Sequence, residues 1–197
     1  RRGAAKLRIN PGNIGDMARV DAVIDAAGQA GIPIRIGVNA GSLAAEYAEA
    51  DLPLATKLAQ SAQSFCTHFE ARGFTAIVVS AKASSVGATI DAYRLLANAI
   101  DYPLHIGVTE AGTAFSGTIK SAVGLGTLLA DGIGDTLRVS LTAPPEEEVG
   151  VAWEILAALD LRRRGPELVS CPTCGRCEVD LVPIATEVEA RLRTLAA

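Results

Sequence analysis

The sequence is poor in aromatic residues and in cysteine, and its charges show no strong excess of either sign. Aromatic residues make up 4% of the 197 residues, and the chain has four cysteines, one tryptophan and one methionine. With three of its four cysteines clustered near residue 174, the chain does not resemble a secreted disulfide-rich domain. The formal net charge of −4 provides no general attraction for nucleic acid or for an anionic membrane.

Long hydrophobic runs are also missing from the sequence. No apolar stretch approaches the roughly 20 residues that a transmembrane helix needs, and the first residues given do not have the pattern of a signal peptide. We therefore expect a cytoplasmic protein that has neither nucleic acid nor a membrane as its partner. Hydrophobic residues nevertheless make up 49% of the chain, which is enough for one domain with a large buried core.

One unit recurs along the chain: a short apolar strand, a polar or glycine-rich turn, and an amphipathic helix. This alternation predicts right-handed βαβ units, and hence an α/β fold with a parallel sheet. The predicted strands cover residues 6–10, 32–39, 75–82, 102–110, 136–142 and 167–172. The predicted helices lie near residues 16–30, 53–72, 86–100, 116–131, 145–160 and 180–195.

The two side-chain parities of the predicted strands differ in character. One parity is apolar, as in Ile34, Ile36 and Val38, and suits a sheet face packed beneath helices. The other parity is polar and becomes more so toward the strand ends, whereas a sheet covered by helices on both faces would be apolar on both. A polar interior and mouth indicate a TIM-type (β/α) barrel, in which sites lie at the C-terminal rim. The polar set includes Arg8, Asn10, Arg35, Asn39, Lys82, His105, Thr109, Arg138 and Ser140.

Four cations share this inward parity, namely Arg8, Arg35, Lys82 and Arg138. Buried like charges are costly unless anions accompany them. Internal ion pairs are one explanation, but few strand or loop acids are available to form them. The other explanation is a polyanionic ligand, most simply one with phosphates, because guanidinium groups match phosphate oxygens. The set as a whole favours the ligand.

Cys171, Cys174 and Cys177 form a C-x-x-C-x-x-C run. This spacing superficially matches the bacterial ferredoxin run, which needs a fourth ligand to hold an iron–sulfur cluster. Thiolates also bind zinc well, so a partial zinc site fits the same residues.

Five strings carry a family resemblance, in the same order and over essentially the whole chain. They are "LRINPGNIG", "IRIGVNAGSL", "HIGVTEAG", "KSAVGLGTLLADGIGDTLRVSLT" and "RGPELVSCPTCGR". In these strings the chain resembles 4-hydroxy-3-methylbut-2-en-1-yl diphosphate synthase, the iron–sulfur enzyme of the non-mevalonate isoprenoid pathway. The resemblance implies a reductive ring opening of 2-C-methyl-D-erythritol 2,4-cyclodiphosphate to the hydroxymethylbutenyl diphosphate, with two electrons taken up and water lost.

The resemblance also implies roles for individual residues. Arg8, Arg35 and Lys82 match family positions that hold the phosphates, and Glu110 matches an acid at the reacting end. The positions that line the same pocket match Asn10, Asn39, Thr109 and Ser140. Apart from Glu110, which lies at a strand end where facing is loose, these are inward or rim positions by parity as well.

A [4Fe–4S] cluster is the cofactor that the resemblance implies. Cys171 and Cys174 match two of its four ligands, whereas Cys177 matches none. The family supplies a third cysteine and a glutamate from a later segment that this sequence lacks. The implied partners are flavodoxin or ferredoxin as electron donor and, in the full-length enzyme, a second copy in a homodimer.

Compared with the family, the sequence begins about two barrel strands late and ends before the cluster domain. We therefore expect residues 1–197 to form one partial barrel that binds substrate, with six of eight strands. Residues 168–180 would begin the iron–sulfur region, and we expect the chain by itself to be inactive.

Two alternatives from other classes remain at this point. One is a redox-silent barrel enzyme that acts on a phosphorylated small molecule, resembling dihydropteroate synthase, with structural or zinc-binding cysteines. The other is a non-catalytic fragment that folds only with a partner segment.

Overall fold

A computed structural model describes residues 3–195 of the chain. Strands and helices alternate through most of its length, as the sequence predicts. The strands are β1 (Leu7–Ile9), β2 (Ile34–Asn39), β3 (Ile77–Lys82), β4 (His105–Ile106) and β5 (Thr136–Leu137). The helices are α1 (Met17–Ala30), α2 (Ala45–Ala48), α3 (Leu54–Ala71), α4 (Val86–Ala97), α5 (Ala114–Ala130), α6 (Pro145–Ala158) and α7 (Leu181–Leu195), and a 3₁₀ turn covers Ala40–Ser42.

Every strand pairing among the described residues is parallel. β1, β2 and β3 form one ladder in sequence order, and β4 pairs with β5 in a second. A parallel bridge between Val79 and Leu104 connects the two ladders, so the strands follow one another in the order of a barrel wall. The prediction of a parallel α/β fold is therefore confirmed, although the strands of the described residues do not close into a complete barrel.

The outward parity of the strands forms the core. Ile34, Ile36 and Val79 are fully buried, and α3 packs against both β2 and β3. Local signals place the helices around this sheet. The Asp16 carboxylate accepts a hydrogen bond from the Arg19 amide at 2.9 Å and caps α1, which is the preferred role of an aspartate at that position. Proline and three glutamates begin α6, where they complement the helix dipole.

The predicted strand at residues 167–172 is wrong. This stretch has no regular secondary structure and is exposed throughout. Val169, which a barrel strand would bury, is 85% exposed. A strand requires a neighbour with free ladder groups, and β5 pairs with β4 over two residues only. Pro166, just before this stretch, and Pro172, its last residue, remove further donors from any ladder.

None of the helices within residues 3–195 is long and apolar enough to span a bilayer.

Candidate functional site

The strand register places the predicted site residues next to one another on the inner face of the sheet. Arg8 on β1 lies directly opposite Arg35 on β2. Asn39, at the end of β2, lies opposite Lys82, at the end of β3. Like charges directly opposite on neighbouring strands are destabilising, so the Arg8–Arg35 pair would not persist for stability alone.

A missing side chain allows Arg8 to lie across the sheet. Its Nη2 donates to the carbonyl of Gly37 at 2.9 Å. A Cβ on Gly37 would lie 2.4 Å from Arg8 Nε, so any larger residue would displace the guanidinium. When the side-chain amide of Asn39 is oriented so that its nitrogen donates to the Val38 carbonyl, its oxygen accepts a hydrogen bond from Arg8 Nη2 at 3.3 Å. Gly37 and Asn39 therefore fix the guanidinium on the inner face.

Lys82 is the most deeply buried of the cations, with 8% of its surface exposed. Its Nζ lies over Gly107, 2.7 Å from the place where a Cβ would stand. Burial lowers the pKa of this ammonium to about 7, and repulsion from Arg35, Arg138 and Arg8 contributes to the fall. A lysine in such surroundings is held close to neutrality and gains its proton when an anion arrives.

Burial and the positive charge of nearby cations also lower the pKa of two neighbouring groups, Arg35 and His105. Burial and the nearby Arg8 lower the pKa of Arg35. Burial, followed by repulsion from Lys82 and Arg35, lowers the pKa of His105 to about 3, so its imidazole is neutral at physiological pH. Its Nδ1 lies 2.8 Å from the Thr136 hydroxyl. Among the described residues, no carboxylate contributes to any of these three shifts.

One acid approaches the cations, although the sequence pattern did not predict it as part of the site. Glu148, in the first turn of α6, lies 3.9 Å from Arg138 Nε. The same carboxylate accepts a hydrogen bond from the Leu141 amide at 2.9 Å. Arg138 is largely exposed and the contact is long, so one carboxylate leaves most of the positive charge unbalanced. The sequence contained one signal for this contact: Glu148 lies in the first turn of the helix that follows the strand segment carrying Arg138.

The remaining predicted residues lie at the C-terminal ends of the strands. Asn10 is buried and joins two rim loops, since its amide donates to Ser42 Oγ at 2.7 Å and its Oδ1 accepts from the Gly12 amide at 3.1 Å. Thr109 and Ser140 are half-buried after β4 and β5. Their place at the rim agrees with parity, whereas their contact with a ligand stays a prediction.

Glu110 occupies the rim in an unusual conformation. Its φ is 53°, in the left-handed region that non-glycine residues rarely adopt, and its side chain is exposed. Such backbone conformations cost about 1–3 kcal/mol and occur often at functional sites. Gly112 follows at φ 116°, so two of the three residues 110–112 have a positive φ.

The cysteines do not form a complete metal site among the described residues. Cys171 and Cys174 are exposed free thiols in an irregular segment. Cys177 is partly buried, and its Sγ donates to the Val179 carbonyl at 3.2 Å. Within residues 3–195, no three ligating side chains group together as a metal site. The Cys171–Cys174 pair offers the soft thiolates that a cluster or zinc requires, as part of a ligand set.

Together, Arg8, Arg35, Lys82 and Arg138 form a cation cluster on the inner face. Gly37 and Gly107 leave room there for the side chains of Arg8 and Lys82. Guanidinium groups supply forked donors and Lys82 supplies a point charge, which together suit a ligand with more than one phosphate. The family model for the GcpE TIM-barrel domain matches residues 1–153, which hold all five strands and the cation cluster. The chain belongs to the GcpE TIM-barrel family. The predicted family resemblance is thereby confirmed.

Several relatives of this GcpE-family chain carry the same name, 4-hydroxy-3-methylbut-2-en-1-yl diphosphate synthase (flavodoxin). The protein of Geobacter sulfurreducens is 59% identical over 191 residues, which cover 96% of this chain and 54% of the relative. That of Symbiobacterium thermophilum is 56% identical over 97% of this chain and 52% of its own length. That of Nitratidesulfovibrio vulgaris is 57% identical over 96% and 50%. The chain spans about half the length of the curated relatives it matches.

Proposed function

We propose that this GcpE-family chain is the substrate-binding part of a 4-hydroxy-3-methylbut-2-en-1-yl diphosphate synthase. Its substrate would be 2-C-methyl-D-erythritol 2,4-cyclodiphosphate, whose ring is opened reductively with uptake of two electrons and loss of water. The observation that supports this most strongly is the cluster of Arg8, Arg35, Lys82 and Arg138, with one carboxylate at 3.9 Å as its counterion. A diphosphate would neutralise this cluster.

The residues would divide the work as follows. The arginines bind the phosphate oxygens, and Arg8 is oriented by Gly37 and Asn39. Lys82 approaches the diphosphate from β3 and takes up a proton as the anion binds. Glu110, Thr109 and Ser140 stand at the rim, where the carbon skeleton would lie, and the exposed Glu110 carboxyl is available to exchange a proton with the departing oxygen.

The electrons would come from a [4Fe–4S] cluster, which supplies single-electron transfer when it is bound. Cys171 and Cys174 fit two positions of its ligand set because they are exposed, unpaired by disulfide and close in sequence. A third cysteine and a glutamate would come from a further segment of the protein. The names of the relatives, which include flavodoxin, support flavodoxin over ferredoxin as the donor. We extend the proposal to a cytoplasmic homodimer.

Arg35→Lys tests the phosphate site. The experiment uses a protein completed to the length of its relatives and measures binding of the cyclodiphosphate by titration calorimetry. The substitution keeps the charge but removes the two-pronged donor, so binding should weaken by roughly 1–3 kcal/mol. Arg94→Lys is the matched control, because Arg94 pairs with Asp131 at 2.7 Å on the helical exterior and should leave binding unchanged. Equal affinities for all three proteins would remove Arg35 from the site.

A further inference from the structure

The hydroxyl of Tyr93 lies between two neighbouring strands, β3 and β4. The residue belongs to α4 and is fully buried. Its hydroxyl donates to the His105 carbonyl at 2.7 Å and accepts from the Ala81 amide at 3.2 Å. Both of its hydrogen-bonding functions are therefore used on backbone groups of two neighbouring strands, β3 and β4.

The hydroxyl stands where a ladder bond belongs. On one side of it, the Val79 amide donates to the Pro103 carbonyl at 2.9 Å, and on the other the Thr109 amide donates to the Ala83 carbonyl at 3.1 Å. A parallel ladder in this register would join the Ala81 amide directly to the His105 carbonyl. Tyr93 replaces that one bond with two bonds through its oxygen, and so holds β3 and β4 apart at this point.

Lys82 lies beside this interrupted ladder bond, on the inner face of the sheet. Lys82 follows Ala81 in the chain, and its Nζ lies over Gly107, which is two residues beyond His105. The Cβ that Gly107 lacks would stand 2.7 Å from Nζ and 2.7 Å from the carbonyl oxygen of Arg138. The space that the ammonium occupies therefore depends on the separation of β3 from β4.

We propose that Tyr93 is a positioning residue for Lys82: its hydroxyl spaces β3 and β4 so that the ammonium can reach a phosphate-bearing ligand on the inner face. This inference rests on the proposed function. In Tyr93→Phe the Ala81 amide and the His105 carbonyl lose their partner. Leaving both unpaired is costly, so the strands approach and pair directly. Lys82 is then pressed toward Gly107 and Arg138.

A double-mutant cycle tests the proposal, with inorganic pyrophosphate as the probe and titration calorimetry on the protein completed to the length of its relatives. Tyr93→Phe should weaken pyrophosphate binding about tenfold, similar to the loss of one hydrogen bond to a charged group. In a Lys82→Gln background the same substitution should change affinity by less than about twofold, because its effect passes through Lys82.

The pH dependence of pyrophosphate affinity provides a second test, because general destabilisation of the fold would not shift it. The charged groups facing Lys82 are Arg8, Arg35 and Arg138, with the imidazole of His105 beside it. Pressed among them, the ammonium loses its proton more easily, so affinity should begin to fall at a lower pH in Tyr93→Phe than in the unsubstituted protein.

Two control variants separate positioning from stability. Phe69→Leu loosens a fully buried contact with Phe74 away from the site, and should lower the melting temperature without changing affinity or its pH profile. Tyr102→Phe removes a tyrosine hydroxyl that donates to Glu70 at 2.9 Å near the surface. This variant should change neither the affinity nor its pH profile.

The outcomes distinguish the inference from the function on which it rests. Unchanged affinity in Tyr93→Phe, an equal loss in the Lys82→Gln background, or a pH midpoint that stays or rises would each overturn the role of Tyr93 while leaving the phosphate site intact. Failure of the unsubstituted protein to bind pyrophosphate would overturn both. The loss of one hydroxyl is small beside the stability of a typical domain, so the variant should remain folded.

Discussion

At the scale of single residues, Lys82 combines a cost in stability with a function. Its pKa falls to about 7 in the folded protein, whereas an unfolded lysine has a pKa of about 10.4. Between these two pH values the unfolded chain holds a proton that the folded chain lacks. The free energy of unfolding should therefore rise with pH across that range. Below about pH 7 the folded protein carries the full penalty of a buried, repelled charge.

Lys82→Met should consequently stabilise the ligand-free protein. We expect the free energy of unfolding to increase by about 1–3 kcal/mol below neutral pH, as when other buried charges are replaced by apolar residues. The gain should shrink as the pH rises toward 10. Urea unfolding at a series of pH values measures it. Lys120→Met, at an exposed position on α5, should give no such pH-dependent gain, and pyrophosphate binding should be lost only in the Lys82 variant.

A stability that is equal, or lower, in Lys82→Met at every pH would contradict this account. It would mean that the ammonium has a compensating partner in solution.

Parity predicted which cations share the inner face, because each side chain's direction follows from its strand position. It could not identify Tyr93, which lies on a helix and reads as an ordinary core aromatic. Nor could it assign a partner to Asn10, since that partner, Ser42, lies 32 residues away. Contacts between distant loops and between a helix and the strand edges depend on three-dimensional packing, which a local pattern does not contain.

At the scale of elements, β2 shows how a glycine can serve a neighbouring strand. Gly37→Ala would place a Cβ 2.4 Å from Arg8 Nε. The side chain of Arg8 is flexible and can turn away, so the fold should survive while its guanidinium leaves the inner face. We expect pyrophosphate affinity to fall by about 1–3 kcal/mol, with a much smaller change in melting temperature. Calorimetry and thermal unfolding on the same samples measure the two effects.

Gly126→Ala is the matched control for that substitution. Gly126 lies within α5, and a Cβ there would meet nothing within 4 Å. Alanine in a helix interior is favoured over glycine by about 0.5–1 kcal/mol, so this variant should melt slightly higher and bind pyrophosphate normally. If Gly37→Ala also binds normally, Arg8 does not need its place above Gly37.

Elements differ in how well the sequence predicted them. The long helices and β1–β3 agree closely with prediction because their hydrophobic patterns extend over many residues and a neighbouring strand is present. β4 and β5 are shorter than predicted, and the strand at residues 167–172 is absent. In all three cases the apolar alternation was present in the sequence, but ladder partners decide whether such a segment becomes a strand. Leu168 and Val169 accordingly remain exposed.

At the scale of the whole molecule, the cation cluster and the cysteine run lie in different parts of the chain. The cation cluster is formed by Arg8, Arg35 and Lys82 on β1–β3 and by Arg138 directly after β5. Cys171 and Cys174, in contrast, lie in an exposed segment between α6 and α7. This division suits a protein in which the barrel holds the substrate and another part completes the redox centre. The sequence run alone did not separate Cys177 from the other two, but the structure gives it different surroundings.

The three clustered cysteines should therefore respond differently to substitution in a protein completed to the length of its relatives. Cys171→Ser and Cys174→Ser should each abolish or sharply reduce bound iron, because each removes a thiolate ligand. Cys177→Ser should retain iron, since this thiol is partly buried and already donates to Val179. Iron content and visible absorbance after anaerobic purification measure the outcome. Loss of iron in Cys177→Ser would show that all three thiols ligate, and zinc in place of iron would favour a redox-silent barrel.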